Sequence, residues 1–231
     1  WYADTPQDFV FSVKAPRYIT HILRLRDIHT PLANFFASGV LELKDKLGPI
    51  LWQFPPNFKF NAELFETFLQ QLPHDTEQAA ALARQHDSHV NGHASLRAHK
   101  KKRLRHAVEI RHESFVDPDF VRLLKRHDTA LVIADTAGKW PYREDITSDF
   151  VYLRLHGAEE LYASGYTPQA LKRWGDRIEA WHQGKQPSDP QLIAPKQKPK
   201  VRKSREVFCY FDNDIKVRAP FDARSLLQRF H

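Results

Sequence analysis

Six short runs of branched and aromatic residues punctuate the chain: 8–14 (DFVFSVK), 48–54 (GPILWQF), 105–111 (RHAVEIR), 129–135 (TALVIAD), 149–156 (DFVYLRLH) and 205–211 (REVFCYF). Their length and composition predict β-strands. Between them, apolar residues recur at helical spacing over about 31–45, 61–72, 76–87, 117–127, 167–183 and 220–230, with Pro31 and Asp117-Pro118 as helix starts. Strands alternating with helices predict an α/β fold with a parallel sheet. No repeat of fixed period argues for a solenoid.

The strand ends carry more information than the strands. Period-2 alternation separates Phe150, Tyr152, Arg154 and His156 from Val151, Leu153 and Leu155. It likewise separates Glu109 and Arg111 from Val108 and Ile110, and Lys14 from Val13. The aliphatic set suits packing under helices, which leaves the ionic set on the opposite face. The other strands end in Gln53, in Asp135 and in the run Asp212-Asn213-Asp214. Parallel α/β folds place their active sites at this end of the sheet.

Composition narrows the classes. The chain has 231 residues, 42% apolar and 27% charged, an ordinary globular balance and enough to bury a substantial core as one domain over 1–231. No run of about 18 apolar residues predicts a membrane helix. Trp1 to Pro6 lacks the pattern of a signal peptide. The single Cys209 predicts a reducing, cytoplasmic setting and an inert buried thiol. None of the eight glycines forms a dinucleotide fingerprint, phosphate loop or nucleophile elbow, so no cofactor is expected. Methionine is absent even at position 1, which suggests that residue 1 is not the native start.

The net charge of +7 is concentrated in two insertions, about 84–106 and 185–205, each with seven Lys/Arg against one acid. Either can grip a nucleic-acid backbone. The plainer alternative is a solvated loop, favoured because neither segment interleaves aromatics with its charges. His86, His89 and His93 give a weak metal pattern that Gly92 interrupts.

KAPRYITH (Lys14 to His21), LGPILWQFPPNF (Leu47 to Phe58), VEIRHESF (Val108 to Phe115), IADTAG (Ile133 to Gly138), DFVYLRLHG (Asp149 to Gly157) and YFDND (Tyr210 to Asp214) together resemble the YecE-like family, catalogued as domain of unknown function 72. The resemblance implies a TIM-barrel-like β/α barrel. It also implies that the first two β-α units are missing, because the family's glycine-rich opening strand and its second strand have no counterpart here. It hands over no activity, so function rests on the site.

The strand-end set is therefore read as a pocket. Glu109, His156 and Asp135 are the candidates for catalysis. Lys14, Arg17, Gln53, Arg111, Arg154, Tyr162, Asn213 and Asp214 are the candidates for ligand binding. Converging arginines favour a phosphate- or carboxylate-bearing small molecule. Glu109 and His156 have the chemistry of an acid/base pair for a metal-independent hydrolase, lyase or isomerase. No metal is expected, because Lys14, Arg111 and Arg154 would crowd a cation held by Glu109, Asp135, His156 and Asp214. A glycosidase-like pair, Glu109 with Asp135 or Asp214, stays open. So does a non-catalytic interaction module whose charges pair with one another.

Overall fold

The computed structural model describes residues 1–157, 161, 164–215 and 217–230. The chain divides into two compact units, Trp1–Val108 and Glu109–His231.

In the first unit β1 (Phe11–Lys14) lies parallel to β2 (Leu47–Gln53), with Val13 opposite Ile50 and Lys14 opposite Leu51. Gly48 is required at this junction, because a Cβ there would sit 2.8 Å from the Phe11 carbonyl oxygen. The predicted helix 31–45 is shorter than its periodicity suggested. Helix α1 (His29–Ala37) stops where Gly39 turns left-handed at φ 98°, and a 3-10 stretch, Val40–Lys46, follows. Helices α2 (Ala62–Gln71) and α3 (Thr76–Ala83) begin as the sequence indicates. The Asn61 side chain accepts from the Leu64 N–H, and Asp75 accepts from Glu77 and Gln78, satisfying amides that have no partner within the helix. A π-helical turn, Tyr18–Ile22, follows β1 and has no periodic signature in the sequence. Trp52, Phe54, Phe65 and Phe68 fill the core, with Trp52 edge-on to Phe68 at 5.2 Å between ring centroids. The strand β3 (His106–Glu109) runs through the junction of the two units.

The second unit holds β4 (Ala130–Asp135), β5 (Phe150–Leu155) and β6 (Glu206–Phe211), parallel and adjacent in that order, with Leu153 opposite both Ile133 and Cys209. Its helices are α4 (Pro118–Arg126), α5 (Pro168–His182) and α6 (Ala219–Leu227). Asp117 and Thr167 cap the first two, each followed by a proline whose missing N–H costs nothing there.

The predicted division of faces on β5 is what the structure has. Val151, Leu153 and Leu155 pack with Ile133 against Trp174, Ile178, Trp181 and Leu226 of α5 and α6. Each buried aliphatic side chain of this kind contributes about 1.5–3 kcal/mol. On the opposite face Phe150 meets Phe208, and Tyr152 stacks on Tyr210 at 5.2 Å. Among the described residues no helix is long and apolar enough to cross a membrane.

Candidate functional site

Continuing that second face past the tyrosines leads to charge. Arg154 follows Tyr152 on β5, and Asp212 follows Tyr210 just beyond β6. The Arg154 guanidinium donates from Nη2 to Asp212 Oδ2 at 2.5 Å and from Nη1 to Glu109 Oε2. The other Glu109 oxygen accepts from Arg111 Nε at 2.8 Å. The same Asp212 oxygen lies 3.0 Å from His156 Nδ1. Arg111, Glu109, Arg154, Asp212 and His156 thus form one ladder of side chains, and every member belongs to the second unit.

The loop after β4 adds a wall to it. Ala137 and Gly138 adopt φ 51° and 75°, and the Thr136 hydroxyl accepts from the Trp140 N–H at 3.1 Å, which fixes the turn. The Trp140 ring then lies under the Arg111 guanidinium, 3.8 Å from ring centroid to carbon, and meets His156 edge-on. Guanidinium on indole is the favoured geometry for a cation over an aromatic face.

Exposure grades along the ladder. Glu109 and His156 are fully buried, the Arg154 and Arg111 side chains are 10% and 11% exposed, and Asp212 reaches 35%. Burial by itself would raise the Glu109 carboxyl. The charges of Arg154 and then Arg111 and His156, with the Arg154 hydrogen bond, outweigh it and hold Glu109 below the ordinary range, as an anion. The two guanidinium cations and the two carboxylates of the ladder balance in charge.

Asp135 belongs to a neighbouring group. Its Oδ2 accepts from the Tyr166 hydroxyl at 3.1 Å, which in turn accepts from the Gly157 N–H, while the Asp135 carbonyl accepts from the His156 N–H. Burial raises the Asp135 carboxyl above its usual range, against the opposing pull of the Tyr166 hydrogen bond. Asn213 is fully buried and donates to Asp222 and to the Ser164 carbonyl, whereas Asp214 is exposed in the turn after β6. In the first unit Lys14 Nζ donates to Gln53 at 2.8 Å, and Arg17 is exposed before the π-helical turn. Tyr162 lies outside the described residues.

Sequence reasoning placed Glu109, Arg111, Arg154 and His156 together, and the structure does so. It overlooked Asp212, choosing Asn213 and Asp214 from the same run, although the alternation Phe208, Tyr210, Asp212 marks the right residue. Trp140 was also overlooked, because a loop has no period. Two cavities of the second unit, about 430 and 790 Å³, lie along α5, β6 and α6 and are not lined by ladder residues. Among the described residues no three His, Cys, Asp or Glu side chains are grouped to hold a metal ion. The His86 and His89 rings are instead on the carbonyl and the carboxylate of Asp87.

The family described as "Protein of unknown function DUF72" matches residues 1–231. A crystal structure of a DUF72 family protein from Thermotoga maritima is similar, with 23% identity and a TM-score of 0.68, over 99% of this chain and 76% of that one. Two crystal structures of a DUF72 family protein from Enterococcus faecalis share 17% identity, with TM-scores of 0.66 and 0.61, over 76% and 81% of those chains. No curated protein matches the sequence.

Proposed function

Because the chain belongs to the DUF72 family, whose description carries no activity, we propose from the site itself that the protein binds a phosphate- or carboxylate-bearing small molecule at the strand ends of its second unit. The reading rests on one observation: two nearly buried arginines are oriented by a shared carboxylate, and the second of them reaches on to an aspartate that lies 3.0 Å from a histidine ring nitrogen. Branched aliphatic residues in these places would be at least as stabilising as a buried ionic ladder, so its presence favours a chemical task.

The roles follow from charge and access. Arg111 and Arg154 are the cations of the ladder and each keeps about a tenth of its side chain exposed, and their planar donors suit phosphate or carboxylate oxygens. Glu109, kept as the anion, positions both and can act as a base but not as an acid. His156, with Nδ1 3.0 Å from the Asp212 carboxylate, is the candidate acid–base imidazole. Isomerase, lyase or hydrolase chemistry then falls to His156 and Glu109, with Asp135 beside them. The strand-end placement is the one a β/α barrel gives its active site.

A second reading, a structural ion network without a ligand, is favoured by the completeness of the pairing just described. Thermal unfolding with inorganic phosphate and a panel of phosphorylated and carboxylated metabolites separates the two. A binder at 100 times its dissociation constant adds about 2.7 kcal/mol to the native state. The proposal expects such a shift in the unmodified protein and its loss in Arg111→Gln. A panel that shifts neither protein supports the structural network.

A further inference from the structure

The two basic insertions carry the same charge in sequence and are treated differently by the fold. In 84–106 much of it is consumed. Lys101 pairs with Asp75 and Glu77, and Lys102 Nζ donates to the carbonyls of Asp45 and Leu47. Arg103 is drawn into a β-bridge with Asp75, and His99 lies on Glu42. The segment behaves as a strap whose cations are fasteners.

In 185–205 the fastening is done by other groups. Glu144 accepts from the Gln191 N–H and donates its own N–H to the Gln191 carbonyl. The Asp145 carboxylate accepts from the Ile193 and Ala194 N–H groups at 2.7 and 3.0 Å. Lys125 donates to the carbonyls of Gln197 and Lys198. The Gln197 amide donates to the Pro118 carbonyl, and Arg205 donates to that of Lys200. Arg177 holds Asp189, the segment's one acid. Backbone is held at Gln191, Ile193, Ala194, Gln197, Lys198, Lys200 and Arg205 although the segment forms neither helix nor strand. The side chains of Lys196, Lys198, Lys200, Arg202 and Lys203 stand exposed, and among the described residues none of the five is in an ion pair.

We propose that this pinned stretch, 196–203, is a docking surface for the phosphate backbone of double-stranded nucleic acid. Five cations within eight residues, with no acid beside them, form a strip that attracts a dense line of negative charge. Eight residues reach at most roughly 25 Å, which limits contact to a few phosphates along the strip. The backbone bonds at Gln197, Lys198 and Lys200 lower the entropy lost on docking. The segment 185–205 contains no Phe, Trp or Tyr, so it offers no platform for unstacked bases, and contact is with the backbone alone. Absence of a helix and of an apolar face (Val201 is the single exposed apolar side chain in the strip) argues for nucleic acid over a lipid surface.

The test is fluorescence anisotropy of a labelled random-sequence DNA duplex of about 20 base pairs, two helical turns, titrated with the whole chain over a range of salt concentrations. Five phosphate contacts predict a slope of log affinity against log salt of about −4.5. Lys198→Ala/Lys200→Ala/Arg202→Ala is expected to weaken binding about tenfold or more and to flatten the slope by about 2.7, with the thermal unfolding midpoint unchanged. Arg84→Ala/Arg97→Ala/Lys100→Ala removes the same charge from the other insertion and is expected to leave both values in place. Absent or salt-insensitive binding overturns the proposal, as does equal weakening by the two triple variants. Tighter binding of the corresponding single strand overturns the assignment to duplex. So does loss of binding to phosphatidylserine vesicles in the first variant with duplex affinity unchanged.

Discussion

His106 and Glu109 stand three residues apart on β3, both buried and both titratable, and the fold handles them in opposite ways. His106 is silenced. Its Nε2 is 2.9 Å from the Pro73 carbonyl, and its Nδ1 accepts from Trp52 Nε1 at 3.1 Å, which assigns the neutral tautomer protonated on Nε2. Burial pushes its pKa down to about 4. Glu109 is kept charged, and a chain of further charges is built on it. A neutral imidazole with two neutral partners is what stability alone asks of a buried polar group. Two arginines, two carboxylates and an imidazole in one ladder exceed that need, which is why function is read at one end of the strand and structure at the other.

The comparison breaks most severely at Arg154. Arg154→Met leaves Glu109 and Asp212 short of their shared cation and is expected to cost about 3–5 kcal/mol, read by denaturant unfolding. A cost below 1 kcal/mol would mean that the ladder is loosely coupled. The next effect is acid loss of stability in the first unit. A folded-state pKa of about 4 lies below the imidazole's ordinary 6.5, so the unfolded chain binds the extra proton first as pH falls. Stability is therefore full above about 6.5 and drops by about 2–3 kcal/mol on the way down to pH 4. His106→Gln should flatten that part of the profile. Glu109 acts in a different window. Its lowered carboxyl contributes stability above the ordinary glutamate range near 4.3, lost only as pH falls through the still lower folded value. An unfolding profile with two separate acid phases would sharpen the contrast.

Smaller effects lie at the margins of the ladder. Trp140→Leu removes the ring beneath Arg111 and should cost about 1–2 kcal/mol, with a larger proportional loss of anion binding than of stability. Asp135→Asn should change stability at neutral pH by less than about 1 kcal/mol. Burial already disfavours the Asp135 anion, and an amide oxygen still accepts from Tyr166. A loss of several kcal/mol there would place Asp135 inside the ionic network instead of beside it.

Much of this contrast could be read from the sequence because alternation is a local property. Val151, Leu153 and Leu155 against Arg154 and His156 is visible in eight letters, and the packing of α5 and α6 on the first set follows from it. Among the described residues all six strands lie within one residue of the predicted spans or inside them. Alternation cannot say where a helix breaks when both sides stay amphipathic, and so Gly39 divides a segment that looked continuous. Nor does it reach into loops: Trp140 is aimed by the left-handed pair Ala137-Gly138, a choice made by tertiary packing. Asp212 was legible but was lost among three polar residues after β6. The difference between the two basic insertions was not legible, because it depends on which acids and carbonyls meet the chain after folding.

The central claim is that the ladder is a place where an anion binds. It is tested most directly by following the Nε–H resonances of Arg111 and Arg154 and the His156 ring by NMR while inorganic phosphate or a sugar phosphate is added. Saturable movement of all three is the predicted result. Resonances that stay fixed while signals elsewhere in the protein move would contradict it.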